Sequence, residues 1–195
     1  MSKIFAIMGK IGSKSEKIFE KLKNNNKLNL KGIKKYLTVI GSDEGDNSGY
    51  YIVDEKEYAG FNSTGRIISK KIYEKDGNTF ITFIANDSQI DLNLSNYVIN
   101  CDLEEFKDLK DYFGEDTVKS IYIELDDGQR LRDELARERK KSEHDYHRLC
   151  ERYIRDDNVF SRDNLLNFGV SKIYSNEYFE ECLSTVKDYI LGEID

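Results

Sequence analysis

Residues 3–15 read Lys-Ile-Phe-Ala-Ile-Met-Gly-Lys-Ile-Gly-Ser-Lys-Ser. The apolar run 4–8 is short and passes directly into a glycine-containing turn, which is typical of a buried parallel strand. A helix is expected next, because Ile18, Phe19 and Leu22 share one face while charged residues cover the other. This segment therefore predicts a strand, a glycine loop and a helix in succession.

The loop after this strand has the residue types of a phosphate-binding loop. Glycines let backbone N–H groups turn towards phosphate oxygens, a lysine neutralises charge, and a hydroxyl at the helix start holds Mg²⁺. No glycine precedes Lys14, so the pattern G-x-x-x-x-G-K-[ST] is one residue short. An ordinary glycine turn between a strand and a helix is the alternative. We predict that the ATP phosphates are bound by Gly9, Gly12, Ser13, Lys14 and Ser15, with Ser15 as the magnesium ligand.

The rest of the chain changes from one pattern to another and back. Short extended runs at 37–40, 50–53, 67–73 and 79–83, with a hairpin turn at Asp76-Gly77-Asn78, predict a small, largely antiparallel β insert. Strands and helices then alternate again, and the expected strands cover 97–99, 119–125 and 173–174. Five helices are expected: one after the N-cap Asp102, one at about 127–141, one at about 145–156, one that starts at Ser161 and one at 176–191. The chain is therefore expected to be an α/β protein with a parallel sheet flanked by helices.

Composition restricts the location of the protein. No run approaches the roughly 20 apolar residues of a membrane-spanning helix, and the apolar run at the N-terminus is too short for a signal peptide. The three cysteines are widely spaced and form no C-x-x-C pair, so reduced thiols are expected. These features favour a cytoplasmic location.

Charge is divided unevenly along the chain. Residues 1–38 contain ten lysines and two acids, a balance of +8, whereas the remainder carries −15. The basic end could attract phosphates, although a solvated helix face explains several of its lysines equally well. The acidic remainder argues against a general duplex-DNA or membrane binder, because either would need a large cationic face.

Two further segments resemble the guanylate kinase branch of the P-loop nucleoside monophosphate kinases. Residues 119–139, with the sequence KSIYIELDDGQRLRDELARER, resemble the strand that precedes the lid and the R-L-x-x-R type helix that enters it. Residues 49–57, GYYIVDEKE, resemble the D-Y-F-F-V-x-x-x-E-F segment of the β insert. The resemblance covers nearly the whole chain. It implies a P-loop kinase core at 1–35 and 97–195, a helical lid at about 128–157 and a monophosphate-binding insert at 36–96.

The resemblance also implies roles for individual residues. Lid arginines of such kinases clamp the transferring phosphoryl group. The candidates here are Arg137, Arg139, Arg148 and Arg152, with surface ion pairing as the alternative, and Arg137 and Arg148 flank the break between two expected lid helices. The arginine of the family's T-T-R tract has no counterpart near Thr38. Asp102 fits a helix-capping role equally well. The implied substrate-binding residues are Thr38, Glu44, Tyr50, Ser69, Phe80, Thr82 and Asp102.

The activity that the resemblance implies is phosphoryl transfer from ATP, with Mg²⁺, to a nucleoside monophosphate. GMP is the expected acceptor, and Lys14, Arg137 and Arg148 would be the catalytic residues. The alternative is a catalytically impaired protein of this type that binds a nucleotide or a protein partner. We expect a monomer or homodimer that binds neither nucleic acid nor membrane.

Overall fold

The computed structural model describes residues 2–40, 49–75 and 77–194. Its larger sheet contains five strands: β1 (Ile4–Met8), β2 (Leu30–Gly32), β7 (Asn96–Asn100), β8 (Val118–Glu124) and β9 (Ile173–Ser175). Their order is β2-β7-β1-β8-β9, and all neighbours run parallel. The central strand β1 is buried along its whole length, as its apolar sequence predicts.

Helices cover both faces of this sheet, and one further helix packs against a second, smaller sheet. They are α1 (Ser15–Lys23), α2 (Glu55–Ser63), α3 (Leu103–Phe113), α4 (Asp127–Glu138), α5 (Tyr146–Val159), α6 (Arg162–Asn167) and α7 (Phe179–Ile194). Successive side chains of a strand point to opposite faces. Phe5 and Ile7 therefore pack with α1 and α7, whereas Ile4, Ala6 and Met8 pack with α3 and α6. The predicted α/β architecture is confirmed.

The second sheet contains β3 (Lys35–Ile40), β4 (Tyr50–Ile52), β5 (Ile67–Lys75) and β6 (Asn78–Ala85), in the order β4-β3-β6-β5. The β3–β6 and β5–β6 pairs are antiparallel, and β4 is parallel to β3. The sheet is therefore mixed, and its hairpin lies where the sequence predicts one, although Asp76 itself is outside the described residues. The chain changes sheets between residues 32 and 35 and again between 85 and 96.

The two faces of the second sheet differ in their packing. One face forms a small aromatic core in which Tyr36 and Phe83 contact Tyr58 and Phe61 of α2. Because strand residues alternate between faces, Lys35 and its neighbours in register lie on the other face. That second face turns towards the larger sheet.

Several boundaries differ from the sequence prediction. Strand β2 and helix α2 were not predicted, although Asp54 and Glu57 form a capping box that marks the start of α2. The last helix was predicted from Asn176 and begins at Phe179, because the Asn176 side chain instead donates a hydrogen bond to the Ser13 carbonyl at 2.7 Å. Among the described helices, none is long and apolar enough to cross a membrane. The division into core, insert and lid stays a prediction.

Candidate functional site

A cavity of about 810 Å³ lies between the two sheets and the helices α4 and α5. Ligands of open α/β sheets bind at this position, outside the carboxyl ends of the parallel strands. The whole chain carries −7, yet cations outnumber acids in the described wall of the cavity by eight to six. This local excess favours an anionic ligand. The cations are Lys10, Lys14, Lys17, Lys35, Lys71, Arg137, Arg152 and Arg155, and the acids are Glu16, Asp102, Glu104, Glu105, Glu134 and Asp156.

The glycine loop after β1 forms one end of the cavity. A Cβ atom on Gly9 would lie 2.9 Å from the carbonyl oxygen of Ile123, so glycine is required where the loop passes β8. Gly12 has a φ of +82° and packs against the backbone of Arg130. Both glycines therefore allow the loop to approach its neighbours more closely than other residues could.

Lys14 is the N-cap of α1 and has left-handed backbone angles, with φ 67° and ψ 19°. It follows Gly9 by five positions, which is the spacing between the two glycines of G-x-x-x-x-G-K-[ST]. Its side chain lines the cavity, and its Nζ lies 3.4 Å from an Asp133 carboxylate oxygen. Lys14 thus adopts the backbone conformation that a glycine would adopt without strain.

We expect Lys14→Gly to be more stable than Lys14→Ala by about 1 kcal/mol, because only glycine adopts a positive φ without a steric cost. Both substitutions remove the ion pair with Asp133, so the difference between them isolates the backbone term. Urea unfolding of the two variants measures it. Equal stabilities would show that residue 14 does not hold this conformation in solution.

Acidic residues of α4 and α5 hold the same loop. The Ile11 N–H donates to Asp156 Oδ2 at 2.7 Å, and the Lys10 Nζ lies 2.8 Å from Asp157 Oδ1. Arg130 is fully buried, donates to the Ile11 carbonyl at 2.8 Å and lies 3.0 Å from Asp157. A loop amide and a loop lysine, both groups that could bind a phosphate, are therefore paired with carboxylates of the chain itself.

The opposite end of the cavity is built by the second sheet and the start of α3. Asp102 caps α3 reciprocally with Glu105, as the sequence predicts. The Lys35 Nζ lies 2.7 Å from Glu105 Oε2, and Lys71 contacts both Asp102 and Glu105. The buried Cys101 thiol beside them has its pKa raised to about 12, chiefly by burial. This end therefore carries a compact cluster of alternating charges.

The structure brings many of the predicted site residues to this one cavity. Tyr50 and Thr82 line it from the second sheet, and Arg137 lines it from α4, where it pairs with Glu134. The predicted residues that line the cavity are Gly9, Gly12, Lys14, Ser15, Tyr50, Thr82, Asp102 and Arg137. Their roles in binding stay predictions.

Other predicted site residues lie away from the cavity wall. Thr38 pairs with Ile81 and is buried on the α2 side of the second sheet, so its predicted place in the site needs correction. Ser69 is buried beside a strand irregularity, and Phe80 stacks on Tyr73 at 5.2 Å. Arg148 is exposed near the start of α5.

Two further predicted site residues, Ser13 and Glu44, are not among the described residues that line the cavity. Ser13 is buried beneath the loop, where its carbonyl accepts the Asn176 hydrogen bond. Glu44 lies outside the described residues.

Sequence reasoning missed several charged residues of the site. Strand alternation could have found Lys71, because it lies two positions after Ser69 and directly opposite Thr82. Lys35 is likewise the register partner of Tyr50. No local pattern marks Asp156 and Asp157, whose loop contacts span more than 140 residues of sequence. The missed residues are Lys10, Lys35, Lys71, Glu105, Arg155, Asp156 and Asp157.

Comparison with known proteins gives a match at the level of structure. No protein-family model and no curated relative matches the sequence. Among solved structures, the guanylate kinase from Anaplasma phagocytophilum is similar, with a TM-score of 0.57 over 98% of this chain and 86% of that one. The two sequences are 16% identical, so the similarity concerns the fold. The chain has an α/β fold with a five-stranded parallel sheet. More narrowly, it is a guanylate kinase-like fold.

Proposed function

We propose that this protein transfers a phosphoryl group from ATP to a nucleoside monophosphate, with GMP as the expected acceptor. The observation that supports this most is one cation-rich cavity, which has the glycine loop at one end and the second sheet at the other. Phosphoryl transfer depends mainly on positioning two anionic reactants and on stabilising the charge between them. One cavity with cations at both ends meets that requirement.

The residues at each end of the cavity suggest their roles. The loop residues Gly9, Gly12, Ser13, Lys14 and Ser15 would hold the donor phosphates. Arg137 would stabilise the charge on the transferring group, because it lines the cavity between loop and sheet. Arg148 remains the second candidate from the lid. On the acceptor side, Tyr50, Thr82 and Asp102 are the predicted residues that reach the cavity.

A magnesium ion would be held by Ser15. This residue fits the ion because it opens α1 and lines the cavity, and Mg²⁺ commonly takes few protein ligands together with substrate phosphates. The ion would neutralise negative charge on the donor phosphates.

A coupled assay with ATP, Mg²⁺ and each nucleoside monophosphate in turn tests the proposal. We expect turnover with at least one monophosphate, above the background of a mock preparation from the same host without the gene. A rate equal to that background with every monophosphate would contradict phosphoryl transfer.

A second candidate function is a nucleotide- or protein-binding module without catalysis. The observation that favours it is the pairing of the Ile11 N–H and Lys10 with Asp156 and Asp157, which competes with a donor phosphate. Calorimetric titration with ATP and GMP discriminates the two functions, because saturable binding without turnover supports the module. The same preparation can be sized to test our expectation of a monomer or homodimer. We also propose a cytoplasmic location, which the three free cysteines favour.

A further inference from the structure

Two lysines converge on one carboxylate at the second-sheet end of the cavity. The Nζ atoms of Lys35 on β3 and Lys71 on β5 lie 2.7 Å and 3.8 Å from the same oxygen, Glu105 Oε2. All three side chains are largely buried, with exposed fractions of 20%, 29% and 7% respectively. Two ammonium groups therefore share one oxygen in a poorly hydrated place.

The two acids of this cluster are already engaged in capping α3. The Asp102 N–H donates to Glu105 Oε2 at 2.9 Å, and the Glu105 N–H donates to Asp102 Oδ1 at 3.1 Å. A lysine ammonium carries three N–H donors. Among the described residues, Lys35 uses its donors only on Glu105. Donors of both lysines thus remain for a ligand in the cavity that they line.

Two carboxylates, Asp102 and Glu105, face the two lysines, so an anion in the cavity would compete with Glu105 for them. The pKa of Lys71 is lowered, first by burial and also by repulsion from Lys35, although Glu105 acts in the opposite direction. The pKa of Lys35 is raised, because attraction to Glu105 and neighbouring groups outweighs the lowering by burial. A bound anion would therefore stabilise the charged form of Lys71.

Two hydroxyl groups complete the surroundings. Tyr50 is the register partner of Lys35, Thr82 is the register partner of Lys71, and all four residues line the cavity. We infer that Lys35 and Lys71, with Tyr50 and Thr82, form the subsite for the phosphate of the acceptor, a phosphomonoester dianion. The inference rests on the proposed function for the identity of the acceptor. It assigns the cationic role to two lysines that no motif in the sequence marks.

Glu105→Gln is the sharpest test, because glutamine can still complete the capping box while the competing negative charge is lost. We expect inorganic phosphate to bind on the order of three- to ten-fold more tightly to this variant than to the parent. Binding is followed by the rise in melting temperature with phosphate, relative to sodium chloride of equal ionic strength. A purely structural ion pair would instead lower stability and leave the phosphate response unchanged.

Substitutions of the two lysines test the same subsite by removing the positive charges that would bind the phosphate. Lys71→Met and Lys35→Met should each reduce the phosphate response, and Lys71→Arg should retain most of it. Lys70→Met is the matched control, because Lys70 precedes Lys71 on the same strand and is exposed. A parent protein without a phosphate response, or an equal response in Lys70→Met and Lys71→Met, would overturn the subsite.

Failure of the subsite can be distinguished from failure of the proposed function. If the protein is a kinase and the subsite is correct, Lys71→Met raises the KM for the monophosphate at least ten-fold and changes the KM for ATP less than two-fold. Turnover with an unchanged monophosphate KM would overturn the subsite and leave the function standing. A phosphate response that depends on Lys71 without any turnover would support the subsite and contradict the kinase activity.

Discussion

Arg130→Met should lower the free energy of unfolding by about 3 kcal/mol, because it removes a buried guanidinium and its hydrogen bonds to a loop carbonyl and to two carboxylates. Arg130 is fully buried, donates to the Ile11 carbonyl and contacts Asp127 and Asp157. Its guanidinium also lies 4.5 Å from the ring centroid of Tyr153. One side chain therefore links the loop to both α4 and α5. Urea unfolding measures the loss.

Two comparisons separate this role from a general effect of charge. Arg132→Met removes an exposed arginine from the same helix and should change stability by no more than about 0.5 kcal/mol. Arg130→Lys should recover roughly half of the loss, since lysine keeps the charge but not the planar set of donors. A cost for Arg130→Met no greater than that for Arg132→Met would contradict the linking role.

The ion pair between Arg130 and Asp127 should make stability fall as the pH is lowered. Burial raises the pKa of Asp127, but the combined attraction of Arg130 and Lys10 outweighs burial. The pKa of Asp127 in the folded state therefore lies below its ordinary value. The carboxylate therefore contributes stability above its unfolded-state pKa, and this contribution is lost as the pH falls through the folded-state value. Arg130→Met should consequently lose less stability on acidification than the parent does.

The fold could largely be predicted because its signals are local. The apolar run of β1, the glycine turn and the cap of α3 at Asp102 each lie within a few residues of sequence. The capping box at Asp54 and Glu57 is an equally local signal for α2. Helix α2 was nevertheless missed, because the runs on either side of it indicated strands. Strand β2 has three residues, too few to show a period.

Positions in the cavity wall were predicted where the loop motif or the family resemblance supplied a residue. The loop positions reach the cavity because they follow β1 directly, whereas insert positions depend on which face of a strand they occupy. A shift of one residue exchanges the faces. Thr38 was named from the family resemblance alone and lies on the α2 side of the sheet, whereas its neighbour on the opposite face, Lys35, was overlooked. Contacts such as those of Asp156 with the loop join segments that are distant in sequence.

Asp156→Ala should raise the affinity for ATP roughly tenfold while lowering stability by about 1 kcal/mol. Asp156 Oδ2 accepts the Ile11 N–H at 2.7 Å and lies in the wall of the cavity beside the loop. Alanine frees that amide for a phosphate oxygen and removes a negative charge from the place where the donor phosphates are expected. The lost hydrogen bond loosens the loop, so binding and stability should change in opposite directions.

Calorimetric titration with ATP, together with urea unfolding, measures both effects. Glu151→Ala is the matched control, because it removes an exposed acid from the same helix and alters the net charge equally. That control should leave ATP affinity within about twofold, since exposed charges are screened by salt over roughly 10 Å. If Asp156→Ala weakens ATP binding and stability together, Asp156 positions the loop for the nucleotide. If only Asp156→Ala tightens binding, the chain holds its own phosphate loop with a carboxylate that the nucleotide must displace.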